Sequence, residues 1–436
     1  MELCQTDSNI GNDFSKIPVD YSWSFSDKTI KDTAYITHGY YTYPAKFIPQ
    51  VARRLILENS KEGDIVVDPF MGSGTTMVEA IVNNRIGIGT DINEIAFLMS
   101  KVKTTPLDIL KLTEQYETIS KDLSKAMNGG YEKAIAQALK KIPKNERIDY
   151  WFLPEQKEKL AIIFSRLLEI DSDEMRDFYL IAFAQILKSA SIWLQKSVKP
   201  TRDMKKKISN PIELFLAQSK KMLKKHAEFN TLLSDDVRSN IDSFRTLQCG
   251  DSRSIPCDNA RASLIVTSPP YVTSYEYADL HQLPSLWFGY MSELSKFRQK
   301  FIGSAYKKRE ICDVKSSTAD EIISSLKNTK QEEVRTYYAD MLETFEESKR
   351  VLKKGGRACI VIGDTEFKGV KIKNAQTFQE QFESIGFKTH KIIKREIPSK
   401  MLPSTRDPVT GRFGKVTDKD IKLAYPTEYI LIMEKI

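Results

Sequence analysis

Histidine and cysteine are scarce, with four and five residues in a chain of 436. The cysteines (Cys4, Cys249, Cys257, Cys312 and Cys359) are scattered and form no Cys-x-x-Cys pair. This spacing argues against structural zinc and against a disulfide framework, and it fits a reducing cytoplasm. No apolar run is long enough for a bilayer. The longest, Phe178 to Leu194, is broken by Gln185 and Lys188 and reads as a buried helix. The opening MELCQTDSN lacks the basic and apolar stretches of a signal peptide. Internal repeats and low-complexity tracts are missing too. Two phosphate-loop signatures are absent as well. No lysine follows Gly74, as G-x-x-x-x-G-K-[ST] requires, and Met77 stands where G-x-G-x-x-G needs its third glycine.

What is present suits a folded, mildly basic protein. Hydrophobic residues make up 41%, and 66 Lys and Arg outnumber 58 Asp and Glu for a net charge of +8. The basic excess is compatible with a polyanionic partner without requiring one. The first strand is DIVVD (64–68), followed by the turn PFMGSG, the helical pattern TTMVEAIVNN, a second strand RIGIGTDI and the helix NEIAFLMSKV. This is a parallel βαβ unit.

Residues 105–240 show helical periodicity, as in the stripe Leu160, Ile163, Phe164, Leu167 and Leu168, and they are rich in lysine. Strand patterns resume at FRTLQCGD (244–251) and ASLIVTS (262–268). A helix is expected at 335–353, then the strand RACIVIGD (357–364), a helix near 374–385 and the strands THKIIKREI (389–397) and TEYILIMEKI (427–436). One open α/β sheet interrupted by a helical insertion accounts for this order.

Two constellations carry chemistry. DPFMGSGTT (68–76) lies where the first strand turns into its helix, the place where open α/β sheets bind ligands. Gly72 and Gly74 permit close backbone approach, and the helix start offers N–H groups to a carboxylate or phosphate. Asp91, at the end of the second strand, suits the vicinal hydroxyls of a ribose. The second constellation is TSPPY (267–271). Pro269 and Pro270 donate no hydrogen bond, so the turn offers carbonyl acceptors; Ser268 adds a hydroxyl and Tyr271 an aromatic face. Two acceptors gripping the N–H bonds of an exocyclic amine turn its lone pair toward an electrophile. An aromatic platform holds a base taken out of its stack.

Together these segments resemble the amino-methyltransferases of nucleic acids that use S-adenosylmethionine, in particular the SPPY-type, cytosine-N4-specific enzymes of DNA. DPFMGSGTT resembles their motif I, TDIN (90–93) motif II, CGDSR (249–253) motif III, TSPPY motif IV and HGYYTYPAKFIPQ (38–50) motif X. The resemblance implies a Rossmann-like sheet, mostly parallel with an antiparallel last strand. It places Asp68, Phe70, Gly72, Gly74 and Thr75 around the methionine and ribose of S-adenosylmethionine, Asp91 and Asn93 at the ribose, and Asp251 and Ser252 at the adenine. Pro44, Ala45, Lys46 and Phe47 would close over the methionine end. The catalytic residues it implies are Ser268, Pro269, Pro270 and Tyr271, with no metal.

Serine rather than Asp or Asn at position 268 points to cytosine N4 in double-stranded DNA, the base flipped out of the helix. Adenine N6, a base amine in RNA and a non-enzymatic DNA-binding protein are the alternatives. Residues 1–104 and 241–436 form the expected catalytic domain. The 105–240 insertion is either a target-recognition region or a structural cap with solvated lysines. The aromatic stretch 274–290 either lines the base pocket or packs on the sheet, and Arg406 and Arg412 either touch phosphates or are solvated. A cognate restriction endonuclease is a possible partner; a membrane is not.

Overall fold

The strands run from four to eleven residues, and their apolar residues alternate between two faces of one sheet. In the computed structural model, which describes residues 14–43, 46–128, 130–197, 199–272, 277–303, 313–327, 329–367, 369–398, 405–406, 422–423 and 426–436, these strands are β1 (Ile65–Asp68), β2 (Ile86–Asp91), β3 (Arg245–Cys249), β4 (Ala262–Thr267), β5 (Leu352–Ile362), β6 (Phe387–Glu396) and β7 (Thr427–Lys435). Their spatial order is β3-β2-β1-β4-β5-β7-β6. β1 to β5 are parallel, and β7 runs antiparallel between β5 and β6. The expected antiparallel last strand is therefore present, inside the sheet rather than at its edge. The order reverses between β1 and β4, so the crevice above their carboxyl ends is the switch point at which such sheets bind ligands.

Period-two alternation covers both faces. Val66, Leu264, Val266 and Val361 pack under α1 (Pro49–Asn59) and α2 (Thr75–Val82) through Leu55, Ile56 and Ala80. Val67, Ile265, Ile360 and Ile362 face the opposite way, toward α5 (Thr329–Val351) and α6 (Asn374–Ser384). Residues 353–356 (KKGG), which lie between the expected helix and the expected strand, run inside β5, with Gly355 at φ +73° and a register shift opposite Ala262–Leu264.

Between β2 and β3 the chain makes α3 (Glu94–Thr104) and then a block of helices: Ile109–Met127, Tyr131–Ala138, Glu146–Trp151, Pro154–Leu167, Asp173–Ile186 and α4 (Pro211–Leu232). The predicted stripe is buried at Leu160, Ile163, Phe164 and Leu167, but Leu168 caps the helix and stays 42% exposed. One apolar core joins this block to Leu98, Met99 and Val102 of α3 and to Leu283, Leu286 and Trp287 beyond β4. Among the described residues no helix is long and apolar enough to cross a membrane.

Candidate active site

The tips of β1, β2 and β4 open onto one cavity of about 890 Å³, its open mouth included. Gly72 and Ser268 both line it, which is the juxtaposition the two sequence constellations require. Phe70, Thr75, Asp91, Asp251, Ser252, Pro270, Lys46 and Phe47 also line it.

Asp91 is held by the backbone. One carboxylate oxygen accepts Gly72 N–H and the other Asn93 N–H, each at 2.9 Å. Burial pushes its carboxyl up to about 6. Asn93 turns its amide oxygen to Ile95 N–H at 3.0 Å, capping α3, so it orients Asp91 through the backbone rather than by lining the cavity. Asp251 lines the cavity and is braced by Arg253, which contacts both its oxygens at 2.9 and 2.5 Å and reaches Asp340 at 3.0 Å. The Ser252 hydroxyl meets that of Thr344 at 3.1 Å.

Asp68 and Gly74 stand apart from the cavity lining. The Asp68 carboxylate is buried beneath it, accepting Thr267 O–H at 2.6 Å and Phe70 N–H at 3.0 Å. It ties the tip of β1 to the tip of β4, and burial raises its carboxyl to about 6. Gly74 takes φ +75°, and a Cβ there would lie 2.8 Å from Ser100 Oγ and 3.0 Å from Ser100 Cα. Gly74 thus serves the close packing of α2 on α3. Gly72, at φ +47°, is the glycine that faces the cavity, opposite the Tyr43 ring.

At the start of α2 the hydroxyls of Ser73 and Thr75 are buried and find no partner among the described residues. Two lysines lie near them. Lys46 donates to the His38 carbonyl at 3.0 Å, and burial pulls its ammonium down to about 8. Lys103 is fully buried, donates to the Ser73 carbonyl at 2.7 Å and is held well below the ordinary lysine value by desolvation. The Lys46 ammonium and the orphaned hydroxyls at a helix N-terminus fit the anionic end of a ligand. Asp91 fits hydroxyl donors. This inventory matches the carboxylate and ribose of S-adenosylmethionine.

In the SPPY turn, Ser268 Oγ is engaged by no described residue. The Pro270 carbonyl accepts the Tyr337 hydroxyl of α5 at 2.6 Å. Tyr271 hydrogen-bonds Glu428 at 3.3 Å, and its ring lies over Gly363, where an added Cβ would meet it at 3.1 Å. Pro269 is buried and outside the lining. Pro44 and Ala45, residues 274–276 and Arg412 lie outside the described residues, as does the side chain of Arg406.

Sequence reasoning missed Tyr337 and the far wall formed by Lys300, Phe301 and Ile302. Lys300 is anchored to Glu94 at 2.8 Å. Neither segment carries a motif; only the fold brings them to the strand tips. Tyr43, inside the motif X segment, also lines the cavity, its ring tilted by 32° against the buried His281 ring at 4.7 Å.

The family model for N6/N4 DNA methylases, described as DNA methylase, matches residues 6–101 and 262–436. The chain belongs to this family. It is accordingly a DNA methyltransferase that uses S-adenosylmethionine as methyl donor. The interval between the two matched stretches of the methylase holds the helical block and β3. Over 409 residues the methylase is 25% identical to Type II methyltransferase M.MvaI of Kocuria varians, covering 88% of both chains. Over 437 residues it is 22% identical to Type II methyltransferase M.BsoBI of Geobacillus stearothermophilus, covering 87% of this chain and 83% of that one. DNA adenine methyltransferase YhdJ of Escherichia coli K12 is 42% identical over 59 residues, 14% of this chain and 20% of that one.

Proposed function

We propose that the methylase transfers the methyl group to cytosine N4 of a base flipped from double-stranded DNA. The observation that carries this reading is the Ser268 hydroxyl, engaged by no described residue, on the same cavity as Gly72 and Asp91. Asp91 would hold the ribose hydroxyls, Lys46, Ser73 and Thr75 the methionine carboxylate, and Asp251 and Ser252 the adenine. When bound, S-adenosylmethionine supplies a methyl group on an electrophilic sulfonium.

The chain's own contribution is to prepare the amine. The cytosine amine is a poor nucleophile because its lone pair is delocalised into the ring. The Ser268 hydroxyl would accept one of its N–H bonds and a backbone carbonyl of the SPPY turn the other, drawing the nitrogen toward a tetrahedral shape. The Pro270 carbonyl is held by Tyr337, which fixes the turn rather than the base. After transfer the nitrogen carries one proton too many and loses it to water, so no strong general base is required. A site sunk at the strand tips needs the base extruded from the duplex.

Adenine N6 is the second reading, favoured by the local match to a relative named as an adenine methyltransferase. Incubating the protein with duplex DNA and labelled S-adenosylmethionine, then separating the nucleosides, decides between them. Label in N4-methylcytosine supports the first reading, and label in N6-methyladenine overturns it. In the same proposal, residues 105–240 approach the duplex as the target-recognition region. The names of the type II relatives support a partner endonuclease acting on the same sequence.

A further inference from the structure

On the outer side of the motif X segment, six exposed cations line a groove between α4 and the chain before α1: Lys28, Lys31, Arg53, Lys220, Lys221 and Lys224. Among the described residues only two carboxylates, Asp32 and Glu228, line it with them. Asp32 is already committed to the capping box of the short helix Ile30–Thr33, accepting Thr29 N–H at 2.9 Å and the Thr29 hydroxyl at 2.7 Å. Lys31, Lys220, Lys221 and Lys224 make no salt bridge among the described residues, whereas Lys28 pairs with Asp27 at 2.6 Å. On α4 the spacing of Lys220 and Lys224 puts two like charges one turn apart on one face, where they repel. A polyanion in the groove would relieve this repulsion.

The groove is built rather than incidental. Lys225 donates to the Ala34 carbonyl, and Gln218 donates to the Tyr40 carbonyl at 2.8 Å, which fixes α4 against residues 34–40. The other side of this same turn meets the cofactor cavity through Lys46, which donates to the His38 carbonyl. One turn of chain therefore separates the groove from the Lys46 end of the cavity.

We infer that this groove docks the sugar-phosphate backbone of duplex DNA flanking the target base. The inference rests on the chain's acting on DNA. Lysine ammoniums are point charges that suit phosphate oxygens and discriminate poorly among base edges. These lysines thus position the duplex, and sequence reading falls to other residues of the helical block.

The test is equilibrium binding of duplexes of about one and about four helical turns, measured by fluorescence anisotropy across a salt series. The protein is compared with Lys220→Gln/Lys221→Gln/Lys224→Gln and with the corresponding triple Arg variant. Glutamine keeps helix propensity, and cofactor binding measured by calorimetry reports on folding. On the longer duplex the Gln variant is expected to reduce the slope of log K against log salt by up to about 2.7, about 0.9 for each phosphate that is no longer neutralised. The Arg variant retains the wild-type slope, and the shorter duplex shows a smaller difference. An unchanged slope in the Gln variant, or equal reductions on both duplexes, overturns the groove assignment while methyl transfer by wild type upholds the function. If wild type neither binds duplex nor methylates it, both readings fall.

Discussion

Ser268 leaves β4 with a hydroxyl that no described neighbour uses, while the next acceptor but one, the Pro270 carbonyl, is taken by Tyr337. Two substitutions separate these roles. Ser268→Ala removes one grip on the amine and is expected to lower kcat about tenfold, with the cofactor Kd near wild type. Loss of cofactor binding in that variant shows the residue is misassigned. Tyr337→Phe removes the bond that fixes the turn and is expected to lower kcat several-fold and stability by about 1 kcal/mol, with KM for DNA and cofactor Kd unchanged. A purely structural tyrosine would lower the melting temperature and leave kcat alone. Asp91 gives a pH test. Its folded value of about 6 lies above the unfolded 3.8, so ionisation costs stability above pH 6 and that cost fades as pH falls toward 3.8. Cofactor binding has the opposite need, since the charged carboxylate is the better acceptor. Affinity measured by calorimetry should weaken as pH drops through about 6, and Asp91→Asn should bind weakly with that step removed.

At the scale of elements, the turn between β1 and α2 divides its two glycines between different tasks. Gly72 faces the cavity, whereas Gly74 lets α2 approach Ser100 of α3. Gly74→Val therefore acts first on packing. A left-handed non-glycine residue plus overpacking costs about 2–4 kcal/mol, and the shifted helix start takes the Ser73 and Thr75 hydroxyls with it. Chemical denaturation should show that loss together with loss of cofactor binding. Full stability in Gly74→Val would refute the packing account.

For the whole molecule, the helical block shares one core with α3 and the segment after β4, and Trp151, Trp193 and Trp287 all sit in that core. Trp23 belongs to the sheet's own core. Tryptophan fluorescence and far-ultraviolet circular dichroism should therefore report one coincident thermal transition. Two separated transitions would show that residues 105–240 unfold independently. The outer face of the same block carries the lysine groove, so the side that packs and the side that faces the polyanion are opposite surfaces of α4.

Much of the site was written in local sequence. DPFMGSGTT, the acid at position 91 and TSPPY each sit at a strand end, and strand ends are legible because apolar runs stop at Gly and Pro. The alternation of strands and helices likewise determined the sheet class. Tertiary structure alone decided the rest. It buried Asp68 beneath the cavity, gave Gly74 to helix packing, brought Tyr337 to the Pro270 carbonyl and closed the far wall with Lys300 to Ile302. The reason is physical: hydrophobic periodicity and turn chemistry act between near neighbours in the chain. Which oxygen a side chain bonds and which wall it forms depend on packing between elements far apart in sequence.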